Sequence, residues 1–67
     1  MKVVDIIELL EADGWMMTRF EIAKGTTKRR FTHKTKPGSI YIIGDDHDPV
    51  KIKAANSIMK RAGIKTN

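Results

Sequence analysis

The apolar positions of this chain change period as it is read from the first residue to the last. Val3, Ile6, Ile7 and Leu10 recur at i, i+3, i+4 and i+7, while Asp5, Glu8 and Glu11 fall off that stripe. This is the pattern of a helix with one buried face. It predicts a helix over Val3–Asp13, closed by Gly14 in the left-handed conformation. From Trp15 the period shortens. WMMTRFEI is rich in large side chains, is too short for another helix before Ala23–Thr27, and reads as a strand. Met16, Thr18, Phe20 and Ile22 share one of its faces and Trp15, Met17 and Arg19 the other, and either can be the inner one. Ala23–Thr27 reads as a turn and Lys28–His33 as a second strand. If Phe31 points inward, Arg29 and His33 lie on its side, and Lys28, Arg30 and Thr32 lie opposite. Lys36-Pro37-Gly38 is a turn signal. Ser39–Ile43 (SIYII) is the most β-prone segment and is apolar on both faces, so some cover is expected on each side.

Gly44-Asp45-Asp46-His47 reads as a polar loop. Asp48-Pro49 then offers an N-cap acceptor followed by proline at the first helical position. In the helix this predicts, Ile52, Ala55, Met59 and Ala62 line the inner face, with Ile58 at the boundary and Lys51, Lys53, Lys60 and Arg61 outside. Gly63 closes it, Ile64 folds back as the accompanying hydrophobic contact, and Lys65-Thr66-Asn67 is expected to fray. The order is α-β-β-β-α. An α+β domain follows, with a three-stranded antiparallel sheet and two helices on one face. The other sheet face is left partly open and carries the outward residues of the second strand.

Composition sharpens this picture in a few places. The chain has 67 residues, which is one domain spanning 1–67, and a chain of this size buries only about 60% of its unfolded surface. There is no cysteine, which excludes disulfides and thiolate metal sites. The formal net charge of +5 favours an acidic partner, either a phosphate backbone or an acidic protein. The positive charge is concentrated in Lys24–Lys36 (KGTTKRRFTHKTK), where Lys24, Lys28, Arg29, Arg30, Lys34 and Lys36 occur with His33 and no acidic residue. Such a tract is either a polyanion footprint or a solvated surface. No apolar run approaches the roughly 20 residues of a membrane span, and MKVVDIIELLEADGW is too acidic for a signal peptide, so the expected location is cytoplasmic and away from membranes.

The succession of a helix ending in Asp13-Gly14-Trp15, a glycine-containing turn, Phe31-Thr-His-Lys-Thr-Lys-Pro-Gly38, an apolar strand and a helix carrying Asn56-Ser57-Ile58-Met59-Lys60-Arg61-Ala62-Gly63-Ile64 resembles the HicA (YcfA-like) toxins of toxin–antitoxin pairs. The resemblance spans nearly the whole chain. Its most specific pieces are the Asp-Gly-Trp helix end and the His-x-Thr-Lys-Pro-Gly hairpin. It implies a double-stranded-RNA-binding-like fold, metal-independent cleavage of messenger RNA without a cofactor, and neutralisation by an antitoxin protein that covers the active face. One departure is central. The family's catalytic histidine belongs to a Gly-Ser-His motif at the entry to the second strand. Aligned from Gly25 that position is Thr27, and aligned back from His33 it is Lys28. Neither is histidine, so the resemblance implies either an mRNA interferase that has lost its imidazole or a non-catalytic module that binds RNA or an antitoxin.

Metal-free RNA cleavage needs one group to take the 2′-hydroxyl proton and another to protonate the leaving oxygen, roles that suit histidine. The two histidines are His33 and His47. His33 lies in the basic tract near any bound phosphate, but its place before the hairpin turn suits a structural role. His47 stands among Asp45, Asp46 and Asp48, and four adjacent loop residues rarely all reach one ion, so no metal site is assigned. Lys28, Arg29 and Arg30 are read as phosphate contacts, with only one of the two arginines able to face a flat ligand. Trp15 and Tyr41 are either core residues or stacking surfaces for bases.

Overall fold

A computed structural model describes residues 1–65 of the chain, with Thr66 and Asn67, and so most of the expected fray, outside it. The first helix, α1, runs Val3–Ala12 and buries Val3, Ile6 and Leu10, as its period predicts. Strands β1 (Met16–Ala23), β2 (Thr26–Thr32) and β3 (Ser39–Ile43) follow, and α2 (Ile52–Arg61) ends the order α-β-β-β-α. The sheet is antiparallel throughout, with β2 between β1 and β3. Both helices lie on one side of it. Val3, Ile6 and Leu10 of α1 join Ala55 and Met59 of α2, together with Ala62, Trp15, Phe31, Ile40 and Ile42, in a single core. No helix among the described residues is long and apolar enough to cross a membrane.

The two helices end in the same way. At the end of α1, Gly14 donates to Glu11 O and Trp15 to Leu10 O, each at 3.0 Å; at the end of α2, Gly63 donates to Lys60 O and Ile64 to Met59 O, at 3.1 and 2.9 Å. This paired pattern satisfies carbonyls that a helix end leaves free, and it needs a left-handed residue, supplied by Gly14 (φ 100°) and Gly63 (φ 69°). Each glycine is followed by a residue turned into the core. Trp15 is 1% exposed, and its Nε1 donates to Ala62 O at 3.3 Å, joining the two helix ends.

The His33–Lys36 segment clamps both ends. His33 Nδ1 accepts the backbone N–H groups of Thr35 (3.1 Å) and Lys36 (3.3 Å), which makes Nε2 the protonated nitrogen, donating to Asp13 O at 2.7 Å. The ring also meets Trp15 edge-on, with centroids 5.3 Å apart. Lys36 Nζ donates to Asp13 Oδ2 at 2.5 Å, to Ala62 O at 3.0 Å and to Gly63 O at 3.2 Å, placing a cation where the helix dipole favours one. A Cβ on Gly14 would fall 2.9 Å from His33 Nε2, and one on Gly63 would fall 3.2 Å from Lys36 Nζ. Gly14 is therefore needed for close approach as well as for backbone shape, and Gly63 chiefly for backbone shape.

The Lys36 hydrogen bond to Asp13, opposed by desolvation and helped by the Lys36 charge, holds the Asp13 carboxyl below its ordinary pKa of 3.8. A carboxyl depressed in the folded state contributes stability above its unfolded pKa, and that stability is lost as pH falls through the folded value. Thermal midpoints followed from about pH 5 down to about pH 2 should therefore fall less steeply for Asp13→Asn than for the unmodified chain. Parallel curves would show that the Lys36 contact does not couple to folding.

Three sequence expectations are corrected. First, Asp48-Pro49 does not start the last helix. Pro49 pairs with Lys2 in an isolated bridge, while Asp48 O and Asp46 O accept the free N–H groups of Val3 and Val4, each at 3.0 Å. The loop therefore serves the N-terminus of α1. The Asp48 carboxylate takes the Asp45 N–H at 2.9 Å, and α2 begins only after Lys51, with no side-chain cap. Ile52, now the first helical residue, stands 76% exposed rather than in the core.

Second, β1 does not keep one alternation along its length. Met17 pairs with Phe31, but Arg19 pairs with Arg30, so Thr18 is an extra residue and the register shifts there. A bulge of this kind transposes the faces. Met17 consequently shares the helix side with Phe20 and Ile22, and Arg19 moves to the opposite side with Glu21. Third, β3 is covered on one face only. Ile40 and Ile42 are buried, whereas Tyr41 and Ile43 are exposed.

Candidate nucleic-acid interface

Alternation along β2 sends Thr27, Arg29 and Phe31 towards the helices and Lys28, Arg30 and Thr32 to the uncovered face. Lys28 is paired with Glu21 and Ile43, and Arg30 with Arg19 and Tyr41. These side chains meet in a shallow depression of about 160 Å³ lined by Arg19, Glu21, Lys28, Arg30 and Tyr41. Three cations thus surround one carboxylate. Arg30 Nε donates to Ser39 Oγ at 3.1 Å, which orients its guanidinium. Lys28 Nζ lies 5.1 Å from the centre of the Tyr41 ring, a cation–π distance. Arg19 reaches Glu21 at 3.5 Å, with both side chains well exposed, so the pair holds neither group tightly.

Two further cations mark the ends of β2. Lys24 occupies the two-residue turn from β1, where Lys24 (φ 54°) and Gly25 (φ 75°) both take positive φ. This is the primed geometry that matches strand twist. The turn is tighter than the loop expected from Ala23 to Thr27, and β2 accordingly starts at Thr26. Lys34 is exposed in the connection to β3. Between these turns lies about 20 Å of extended chain, enough for several nucleotides of a single strand.

The remaining basic residues of the tract are engaged by partners within the chain. Arg29 is on the helix side, its side chain 13% exposed, with Nη2 2.7 Å from Asp46 Oδ1. Its guanidinium lies 5.6 Å from the Phe20 ring centre, and its buried Nη1 has no hydrogen-bond partner among the described residues. Lys36 belongs to the helix-end clamp. Of Lys24, Lys28, Arg29, Arg30, Lys34 and Lys36, the fold therefore leaves Lys24, Lys28 and Lys34 exposed and Arg30 half-buried on the open face. It adds Arg19, which sequence reasoning missed because nothing in WMMTRFEI marks a bulge.

Thr27 and Lys28, the alternative positions for an entry-strand histidine, lie on opposite faces. Thr27 is buried at 6% exposure and donates Oγ1–H to Asp45 Oδ1 at 2.7 Å; Lys28 stands on the open face. His33 spends both ring nitrogens on backbone groups. His47 is exposed in the loop docked on α1, where Asp45, Asp46 and Asp48 each engage a different partner. Among the described residues no three His, Asp or Glu side chains converge as a cation site. The two aromatic candidates divide: Trp15 is core, while Tyr41, 51% exposed, offers its ring beside the cations. No protein-family model matches the sequence, and no curated protein matches it.

Proposed function

We propose that this chain is an HicA-like domain that binds RNA across the open face of its sheet, and that in its present form it binds rather than cleaves. The observation carrying this reading is the uncovered cluster of Arg19, Lys28 and Arg30 around Tyr41. Cations spaced across two neighbouring strands suit successive phosphates, and an exposed tyrosine among them suits an unstacked base. The double-stranded-RNA-binding-like character implied by the resemblance agrees with the α-β-β-β-α order. The His33–Lys36 clamp gives a structural reason for the two motifs that carry the resemblance, since Asp-Gly-Trp and His-x-Thr-Lys-Pro-Gly contact each other. An antitoxin partner belongs to the same reading and would cover the same face.

The binding-only form is favoured by the position of the imidazoles. A general acid–base group must come within hydrogen-bond reach of the reacting oxygens. His33 is turned to the helix side, and the open face carries Lys28 at the entry of β2. Lysine there stabilises phosphate charge but is a poor proton shuttle near neutrality.

Titration of a labelled single-stranded RNA at several salt concentrations tests the reading. Each phosphate contact contributes about 0.7 to the slope of log affinity against log salt for a single strand. Changing Arg19, Lys28 and Arg30 together to glutamine should weaken binding and reduce the slope by about 2. An unchanged slope would place RNA elsewhere, and absence of RNA binding by the unmodified chain would leave an acidic protein as the partner.

A further inference from the structure

We infer that β1 is a self-pairing edge through which two copies of this chain join their sheets antiparallel, about a two-fold axis at Phe20. This inference does not rest on RNA binding. It begins with an imbalance of cover. The helices bury the inner face of β2 and β3 at Phe31, Ile40 and Ile42, but every residue of β1 is exposed. On its helix side Met17 (51%), Phe20 (51%) and Ile22 (65%) form an apolar row beside a strand edge that no other described strand pairs. The Arg29 guanidinium lies on the same side, 5.6 Å from the Phe20 ring centre.

The backbone direction follows from one hydrogen bond. Gly44 N–H donates to Thr27 O at 2.9 Å, so Thr27 directs its peptide groups towards β3. Its β1 partner, Ile22, must then direct its N–H and C=O away from β2, and by alternation so must Phe20. These are the free donors and acceptors of the edge. A pair of strands centred on Phe20 would exchange both hydrogen bonds between the two Phe20 residues and place their rings side by side on the helix face.

Charge selects this occupant and this register. Arg19 and Glu21 are the only charged residues of β1 and flank Phe20 symmetrically. In the antiparallel pairing centred on Phe20, each Arg19 stands opposite the other copy's Glu21. Sliding the pair by one step of the two-residue repeat sets Arg19 against Arg19 in one direction and Glu21 against Glu21 in the other, and a parallel in-register pair also sets like on like. A long apolar edge is normally an aggregation hazard that charges suppress. Here the placement penalises the neighbouring registers and rewards the isologous one. The result would be a six-stranded sheet with the open faces of both copies on the same side.

Sedimentation equilibrium on the full chain, across concentration up to the millimolar range, measures the self-association directly. The unmodified chain should approach twice the single-chain mass. Arg19→Glu and Glu21→Arg should each weaken association by roughly ten- to a hundredfold, because both facing pairs become like-charged. Far-UV circular dichroism and thermal melting should show both variants folded, as both side chains are exposed on the open face. The two variants mixed one to one should associate again as a heterodimer, and the double exchange in one chain should restore the homodimer. A single-chain mass for the unmodified protein throughout the range would overturn the inference. So would a dimer indifferent to both reversals, or a mixture of the two variants that stays monomeric.

Discussion

His33→Ala is expected to lower the unfolding free energy by about 2–4 kcal/mol, through lost hydrogen bonds and packing at a partly buried site. The imidazole gives Nδ1 to the backbone N–H groups of Thr35 and Lys36 and donates from Nε2 to Asp13 O. Alanine leaves all of these without that partner and removes the edge-on contact with Trp15. Water can reach the Thr35 end but has poorer access to the Asp13 carbonyl, since the His33 side chain is 12% exposed. The loss also loosens the turn that presents Lys36 to Ala62 O and Gly63 O, so α2 is affected from a distance. For a domain of this length total stability is on the order of 3–10 kcal/mol, and the substitution removes a large share of it. The denaturation midpoint in urea reads the effect, and a midpoint equal to that of the unmodified chain would contradict the clamp. Gln in place of His33 should recover part of the loss, because it offers one acceptor and one donor group, whereas a catalytic imidazole would not be replaced in this way.

Lys28→His is the second large effect, in activity rather than stability. On the proposed reading it sets an imidazole on the open face beside Tyr41 and one repeat along β2 from Arg30, where a bound phosphodiester would lie. A positioned general acid–base group contributes about 10²–10⁴ in rate, so RNA cleavage should rise by that order over the unmodified chain, with growth arrest on induction in a host without an antitoxin. Thr27→His should not do the same. Thr27 is buried and its hydroxyl donates to Asp45, so the larger ring would be forced into the helix side of the sheet and the variant should lose stability instead. Comparing the two by single-turnover cleavage of a labelled RNA, with folding checked by circular dichroism, decides the alignment. Activity in Thr27→His alone would place the entry of β2 differently. Cleavage by the unmodified chain that vanishes in a folded His33→Ala variant would sink both the binding-only reading and the structural assignment of His33.

The elements themselves were legible in the sequence because their causes are local. The Val3, Ile6, Leu10 stripe makes α1 wherever a core exists to receive it. The glycine after each helix is written as Asp-Gly-Trp and Ala-Gly-Ile, and each closes its helix through bonds spanning a few residues. Phe31 facing inward, with Lys28 and Arg30 opposite, follows from a period of two. Tertiary structure decided matters that depend on partners distant in the chain. Whether Asp48-Pro49 caps the helix after it or serves the helix before it depends on which free N–H groups come near. The first turn of α1, more than forty residues earlier, won because its Val3 and Val4 donors needed acceptors. The extra residue at Thr18 is visible only in the pairing of β1 with β2, and it alone brings Arg19 to the face of Lys28 and Arg30. Composition likewise treats Arg29, Arg30 and Lys36 as equal cations. Asp46 and Phe20 hold the first, the helix ends hold the last, and Arg30 remains outside, because a side chain's availability depends on the long-range contacts that satisfy its charge.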